Sequence, residues 1–109
     1  MRPARVRVLG KPIGFKYVPA GDALLRDSPD DHSPGVGRAD ADRQLVAIED
    51  GMPLEQEQDA VLHEILHVIE DFMSIRVSEK AVRSLATGLL AVVKDNPGLL
   101  EYLRSDEHV

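Results

Sequence analysis

The segment His63-Glu64-Ile65-Leu66-His67 sets two imidazoles four residues apart, with a carboxylate directly after the first. On a helix that turns about 100° and rises ~1.5 Å per residue, the histidines lie about 40° apart and ~6 Å along the axis, so both rings reach one ion. Two neutral imidazoles and one further protein ligand hold a zinc ion while leaving a position for water. Zinc lowers the pKa of such a water to about 7, and Glu64 is placed to accept its proton. The chemistry implied is hydrolysis by a metal-activated water with Glu64 as general base.

The chain contains no cysteine, so thiolate ligation and disulfides are excluded and any transition metal must be held by imidazole and carboxylate. Of the four histidines, His32 falls in an expected loop and His108 at the C-terminus, whereas His63 and His67 share one apolar segment. With His63 at 0° on a helical wheel, Glu70 falls at about −20°, Asp71 at about 80° and Glu64 at about 100°. Leu62, Ile65, Leu66, Val68, Ile69, Phe72 and Met73 fill the arc from roughly 140° to 300°. A polar arc opposite an apolar one also suits an ordinary solvated helix. What favours a site is residue identity, two histidines at i and i+4 with glutamate after the first.

The third ligand must come from elsewhere. A second helix is expected to begin after Ser78, with Val82, Ala86, Leu89 and Val93 as its apolar stripe and Leu85 beside it. Glu79 projects onto that stripe, and a carboxylate facing the core needs a partner, which a metal on the preceding helix would supply. Its place in the first turn is also where the helix dipole favours a solvated acid, so the two readings stand side by side. Glu70 is the second candidate and suits better the task of orienting a ligand histidine, because three ligands from one continuous helix strain tetrahedral geometry. His32 is third.

These residues need a frame. At 109 residues and 43% hydrophobic content the chain has material for one core, and a single α+β domain spanning residues 1–109 is expected. Residues 4–9 and 13–18 alternate polar and apolar around Gly10-Lys11-Pro12 and predict a β-hairpin with Val6, Val8 and Phe15 inward. Residues 19–35 carry three prolines and two glycines without hydrophobic period and predict a long loop. A second hairpin is expected from Val36 to Ile48, turning near Ala41-Asp42-Arg43, with its best strand at Leu45-Val46-Ala47-Ile48. Pro53 or Leu54 then opens a helix to about Met73, Ser78 caps a second that ends near Asp95-Asn96-Pro97, and Gly98 to Arg104 form a short third before a polar tail at 105–109. The architecture expected is a pair of antiparallel hairpins packed on a two-helix antiparallel hairpin.

The net charge of −6 argues against general nucleic-acid binding. Arg2, Arg5, Arg7, Lys11 and Lys16 all precede the first acid, Asp22, so a local basic patch is open, although cations on alternating strand positions also serve as edge protection. Neither a signal peptide nor a run of ~20 apolar residues is visible, so a cytoplasmic protein without membrane contact is expected.

The chain resembles the small zincin-like metallopeptidases of phages, prophages and other mobile elements, distant relatives of the ImmA/IrrE-type enzymes that cleave repressors. The likeness rests on the basic N-terminal hairpin, the strand Gln44 to Ile48, the run Leu62 to His67 with its HExxH pattern, and the stretch Ser84 to Pro97 with its Asp-Asn ending. It implies a zincin-like fold in which His63 and His67 are zinc ligands, Glu64 is the base and a glutamate early in the second helix is the third ligand. It also implies a protein or peptide substrate, such as a regulatory protein, added in extended form to an edge presented by residues 44–48. Relatives often carry two glutamates one turn apart in the second helix, whereas this chain has Glu79 followed by Arg83. The function expected is that of a zinc-dependent endopeptidase. The alternative is a non-catalytic metal-binding or regulatory module on a degenerate site, since Tyr102 and His108 are the only oxyanion-stabilising Tyr or His downstream of the motif.

Overall fold

The computed structural model describes residues 1–26 and 35–106. Four strands, β1 (Arg5–Val8), β2 (Lys11–Val18), β3 (Gly37–Asp40) and β4 (Leu45–Glu49), are followed by three helices, α1 (Leu54–Met73), α2 (Glu79–Asp95) and α3 (Leu99–Arg104). This is the α+β architecture expected, with both hairpins present.

The first hairpin turns in two residues. Leu9 and Gly10 both have positive φ, 50° and 84°, as the twist of a two-residue hairpin demands, and Lys11 and Pro12 consequently belong to β2 rather than to the turn. In the second hairpin Gln44, expected in the strand, takes φ 52° and closes the turn, while Asp40 Oδ1 accepts from the Arg43 amide at 3.2 Å.

The sheet order is β1-β2-β4-β3, with β2 and β4 parallel and the other pairs antiparallel. The two hairpins thus join through their second strands, and β4 lies inside the sheet. This corrects the expectation that residues 44–48 present a free edge: the edge on that side is β3. The reason lies in composition. Val46, Ala47 and Ile48 are all buried, which requires cover on both faces, whereas the Gly-Arg-Ala-Asp of β3 is half-exposed throughout.

One face of the sheet carries Val8, Ile13, Phe15, Val46 and Ile48 against Ala60 and Val68 of α1. The opposite face is met by a 3-10 turn, Ala23–Leu25, which packs on β3 and β4 and buries Leu25. Asp22 caps this turn by accepting from the Leu24 amide at 2.9 Å, so the expected loop at 19–35 contains structure in its first part; residues 27–34, His32 among them, lie outside the described residues.

Helix α1 begins with Glu55 and Glu57 in its first turn, where the helix dipole favours acids. It ends on Ser74 in the left-handed region (φ 54°, ψ 41°), with the Ser74 and Ile75 amides donating to Asp71 O and Glu70 O. That closure turns the chain back so that α2 runs antiparallel along α1. Thr87 Oγ1 donates to Asp59 Oδ1 at 3.0 Å, and Lys94 Nζ lies 3.6 Å from Glu55 Oε1 at the far end. Ser78 caps α2 as expected, its side chain accepting from the Ala81 amide at 3.1 Å. Val82 and Ala86 are buried against α1, but Leu85 and Leu89 are about half exposed, so the inward stripe is narrower than expected. Among the described residues no helix is long and apolar enough to cross a membrane.

Candidate metal centre

Residues 63–67 lie in the middle of α1, where the wheel directs Ile65 and Val68 into the core and His63 and His67 away from it. Ser78 starts α2 one residue before Glu79, and the antiparallel return brings that first turn over the histidines. Glu79 Oε1 is 2.8 Å from His63 Nε2, and Glu79 Oε2 is 3.0 Å from His67 Nε2. The two Nε2 atoms are 3.1 Å apart, with the rings edge to face. Of the candidate third ligands among the described residues, Glu79 is the one set against the Nε2 atoms of both histidines.

Glu70 does something different. Its Oε1 lies 2.9 Å from His67 Nδ1, and its Oε2 accepts from the Val77 amide at 2.9 Å. An ionised carboxylate only accepts hydrogen bonds, so this contact favours a His67 proton on Nδ1, which makes Nε2 the nitrogen that can serve as a ligand atom. Nε2 lies 3.0 Å from Glu79 Oε2, a contact that either a ring proton or a metal ion between the two atoms makes favourable.

His63, His67 and Glu79 thus form a group that could hold a metal ion, each offering one ligand atom. Bonds of about 2.0–2.1 Å in a tetrahedral site put ligand atoms ~3.3 Å apart, so the observed 2.8–3.1 Å needs an opening of a few tenths of an ångström. The donor set of two borderline imidazoles and one hard carboxylate suits zinc and related divalent ions.

The cleft over this group has a volume of about 540 Å³ and is lined by Gly37, Arg38 and Ala39 of β3 together with His63, Glu64, His67, Glu70, Asp71 and Glu79. Glu64 is 6% exposed and lies against β3. A Cβ added at Gly37 would stand 2.9 Å from Glu64 Oε2 and 3.0 Å from its Cγ, so the absence of a side chain at 37 is what lets the carboxylate lie there. Sequence reasoning missed Gly37. Nothing in the spacing of residues along the chain relates position 37 to position 64; only the packing of β3 on α1 does.

Arg83, one turn after Glu79, has its Nη2 3.9 Å from Glu79 Oε1 and is largely exposed. Tyr102 is on α3, 65% exposed, and does not line the cleft. His108 lies outside the described residues. Compared with protein-family models, curated proteins and solved structures, the chain matches none.

Proposed function

We propose that this protein is a zinc-dependent metallo-endopeptidase in which His63, His67 and Glu79 hold the metal and Glu64 is the general base. The observation that carries the reading is the convergence of Glu79, from a second helix, on the Nε2 atoms of two imidazoles, with Glu64 in the same cleft. A structural metal site would need no buried carboxylate beside its ligands, whereas a hydrolytic one needs a base within reach of the attacking water.

A divalent metal held by His63, His67 and Glu79 would supply Lewis acidity to the attacking water and the scissile carbonyl. Glu64, on α1 and packed against Gly37 of β3, would take the attacking water's proton and hand it to the departing amine. Its burial limits competing solvent and fixes the carboxylate's direction. Glu70 keeps the His67 proton on Nδ1, so that Nε2 is the ligand atom.

The substrate in this reading is an extended peptide, from a regulatory protein such as a repressor of a phage or other mobile element. It adds to the edge of β3, because β3 and not β4 borders the cleft and ends the sheet. The test is paired. Elemental analysis of purified protein should find one zinc per chain, and Glu64→Gln should keep that zinc while losing cleavage of a library of unstructured, fluorescence-quenched peptides. Cleavage that survives Glu64→Gln removes Glu64 as the base, and a folded protein that takes up no zinc removes the reading altogether.

A further inference from the structure

The turn between α1 and α2 is tied to the metal centre through a single side chain. Glu70 is 16% exposed, less than any of its neighbours in the cluster except His63, and both its oxygens are engaged. One accepts from His67 Nδ1 and the other from the Val77 amide, each at 2.9 Å. Val77 precedes Ser78, the cap of α2, and Glu79 follows directly. The same turn contains Ser74 in the left-handed region, a conformation that a non-glycine residue keeps only where its surroundings enforce it.

We propose that Glu70 is a positioning residue that couples the fold of the turn at residues 74–78 to metal binding, so that the metal orders the turn and the turn orders the metal ligands. The inference rests on the metal-site reading above and deepens it. Two consequences follow from one carboxylate. At His67 it fixes the tautomer and the ring plane, so that Nε2 is offered toward His63 and Glu79. At Val77 it fixes the start of α2, and therefore the place from which Glu79 reaches back over α1. Coupling of this kind is reciprocal: whatever the turn contributes to metal affinity, the metal returns to the stability of the turn.

A carboxylate has two acceptor atoms, whereas a glutamine amide has one acceptor and a donor group. Glu70→Gln is nearly isosteric, yet it can satisfy His67 Nδ1–H or the Val77 N–H but not both. Glu70→Ala satisfies neither. Zinc affinity, measured by competition with a chromophoric chelator on the full chain, should therefore fall by roughly 10- to 100-fold in Glu70→Ala and by a smaller factor in Glu70→Gln. Circular dichroism confirms that each variant is folded, and the glutamine variant keeps the test available should the alanine one fail to fold.

Two further measurements separate coupling from general loosening. Histidine nitrogen–proton correlation spectra of the wild type should show His67 as the Nδ1–H tautomer, and Glu70→Ala should lose that signature. Hydrogen exchange at the Val77 amide should slow several-fold when zinc is added to the wild type, and should respond less in either variant. A wild type that binds zinc no better than its folded Glu70 variants overturns the proposal while leaving the metal site standing. So does a Val77 amide whose exchange ignores zinc. A wild type that binds no zinc overturns both the metal-site reading and this proposal.

Discussion

Two polar clusters sit on α1, about two turns apart, and they are assembled in opposite ways. At the start of the helix Arg2 Nη1 lies 2.9 Å from Asp50 Oδ1 and 3.1 Å from Glu57 Oε1, and its guanidinium covers the Tyr17 ring at 4.0 Å. Tyr17 in turn donates its hydroxyl proton to Pro3 O at 2.6 Å. The cation is supplied by the chain, and each acid has found it. Around His63, His67 and Glu79 three side chains that can each offer a metal ligand atom converge on one point. Arg83 stands 3.9 Å from Glu79, outside hydrogen-bonding distance. The first cluster is a clasp that fastens the N-terminus over β2 and α1. The second is a group that could hold a metal ion, and that difference is the basis for proposing one as structure and the other as a site.

Removing a ligand should break this contrast most severely. Glu79→Ala or His63→Ala is expected to abolish stoichiometric zinc binding, read by elemental analysis after gel filtration, while Arg2→Ala leaves the zinc content unchanged. If Arg2→Ala also strips the zinc, the two clusters are not independent.

Next in size is the effect of metal on stability. Zinc at 100 times its dissociation constant adds about 2.7 kcal/mol to a fold that binds it only in the native state. For a domain of this length that raises the melting temperature by ~10 °C. A chelator should reverse the shift in the wild type and do nothing to Glu79→Ala.

Gly37→Ala sharpens the contrast within the site itself. The atoms nearest the added methyl belong to Glu64 and Ile48, so the Glu64 carboxylate shifts by a few tenths of an ångström and turnover should fall roughly tenfold with zinc affinity unchanged. Loss of zinc in Gly37→Ala would show that β3 supports the ligands as well as the base.

The smallest effect belongs to the clasp. The hydrogen bond from Arg2, helped by the Gly51 amide, holds the Asp50 carboxyl below its ordinary value of 3.8. A carboxyl whose pKa is lowered on folding stabilises the native state above its unfolded value, and that contribution disappears as pH falls through the folded value. The melting temperature of Arg2→Ala should therefore lie slightly below that of the wild type near neutral pH, and the gap should close as the pH drops below about 3.8. A gap that persists in strong acid would assign the clasp to the stacking of Arg2 on Tyr17 instead.

Much of the local structure was legible because it depends on neighbours in sequence. The span of α1 follows from an apolar period that begins after Pro53 and fails beyond Met73, and the start of α2 follows from Ser78 as its cap. The pairing of strands was not legible in the same way. Alternation tells which side chains share a face, but β4 as an interior strand depends on the parallel contact with β2, which joins segments some thirty residues apart. The density of apolar residues at 45–48 was the available signal, since a strand buried on both faces reads as a continuous apolar run.

By itself, then, the sequence determined that His63 and His67 share one helical face with Glu64 beside them, because i, i+4 spacing on a helix is a local geometric fact. It put Glu79 ahead of Glu70 as the third partner, without fixing where either side chain lies. The tertiary structure separated them, because the return of α2 along α1 sets Glu79 against the Nε2 atoms and leaves Glu70 on the far nitrogen of His67 and the amide of Val77. It alone also brought Gly37 under Glu64 and put β3 at the border of the cleft. Those contacts join residues far apart in the chain, and their geometry is fixed by how the sheet and the two helices pack, which no single segment encodes.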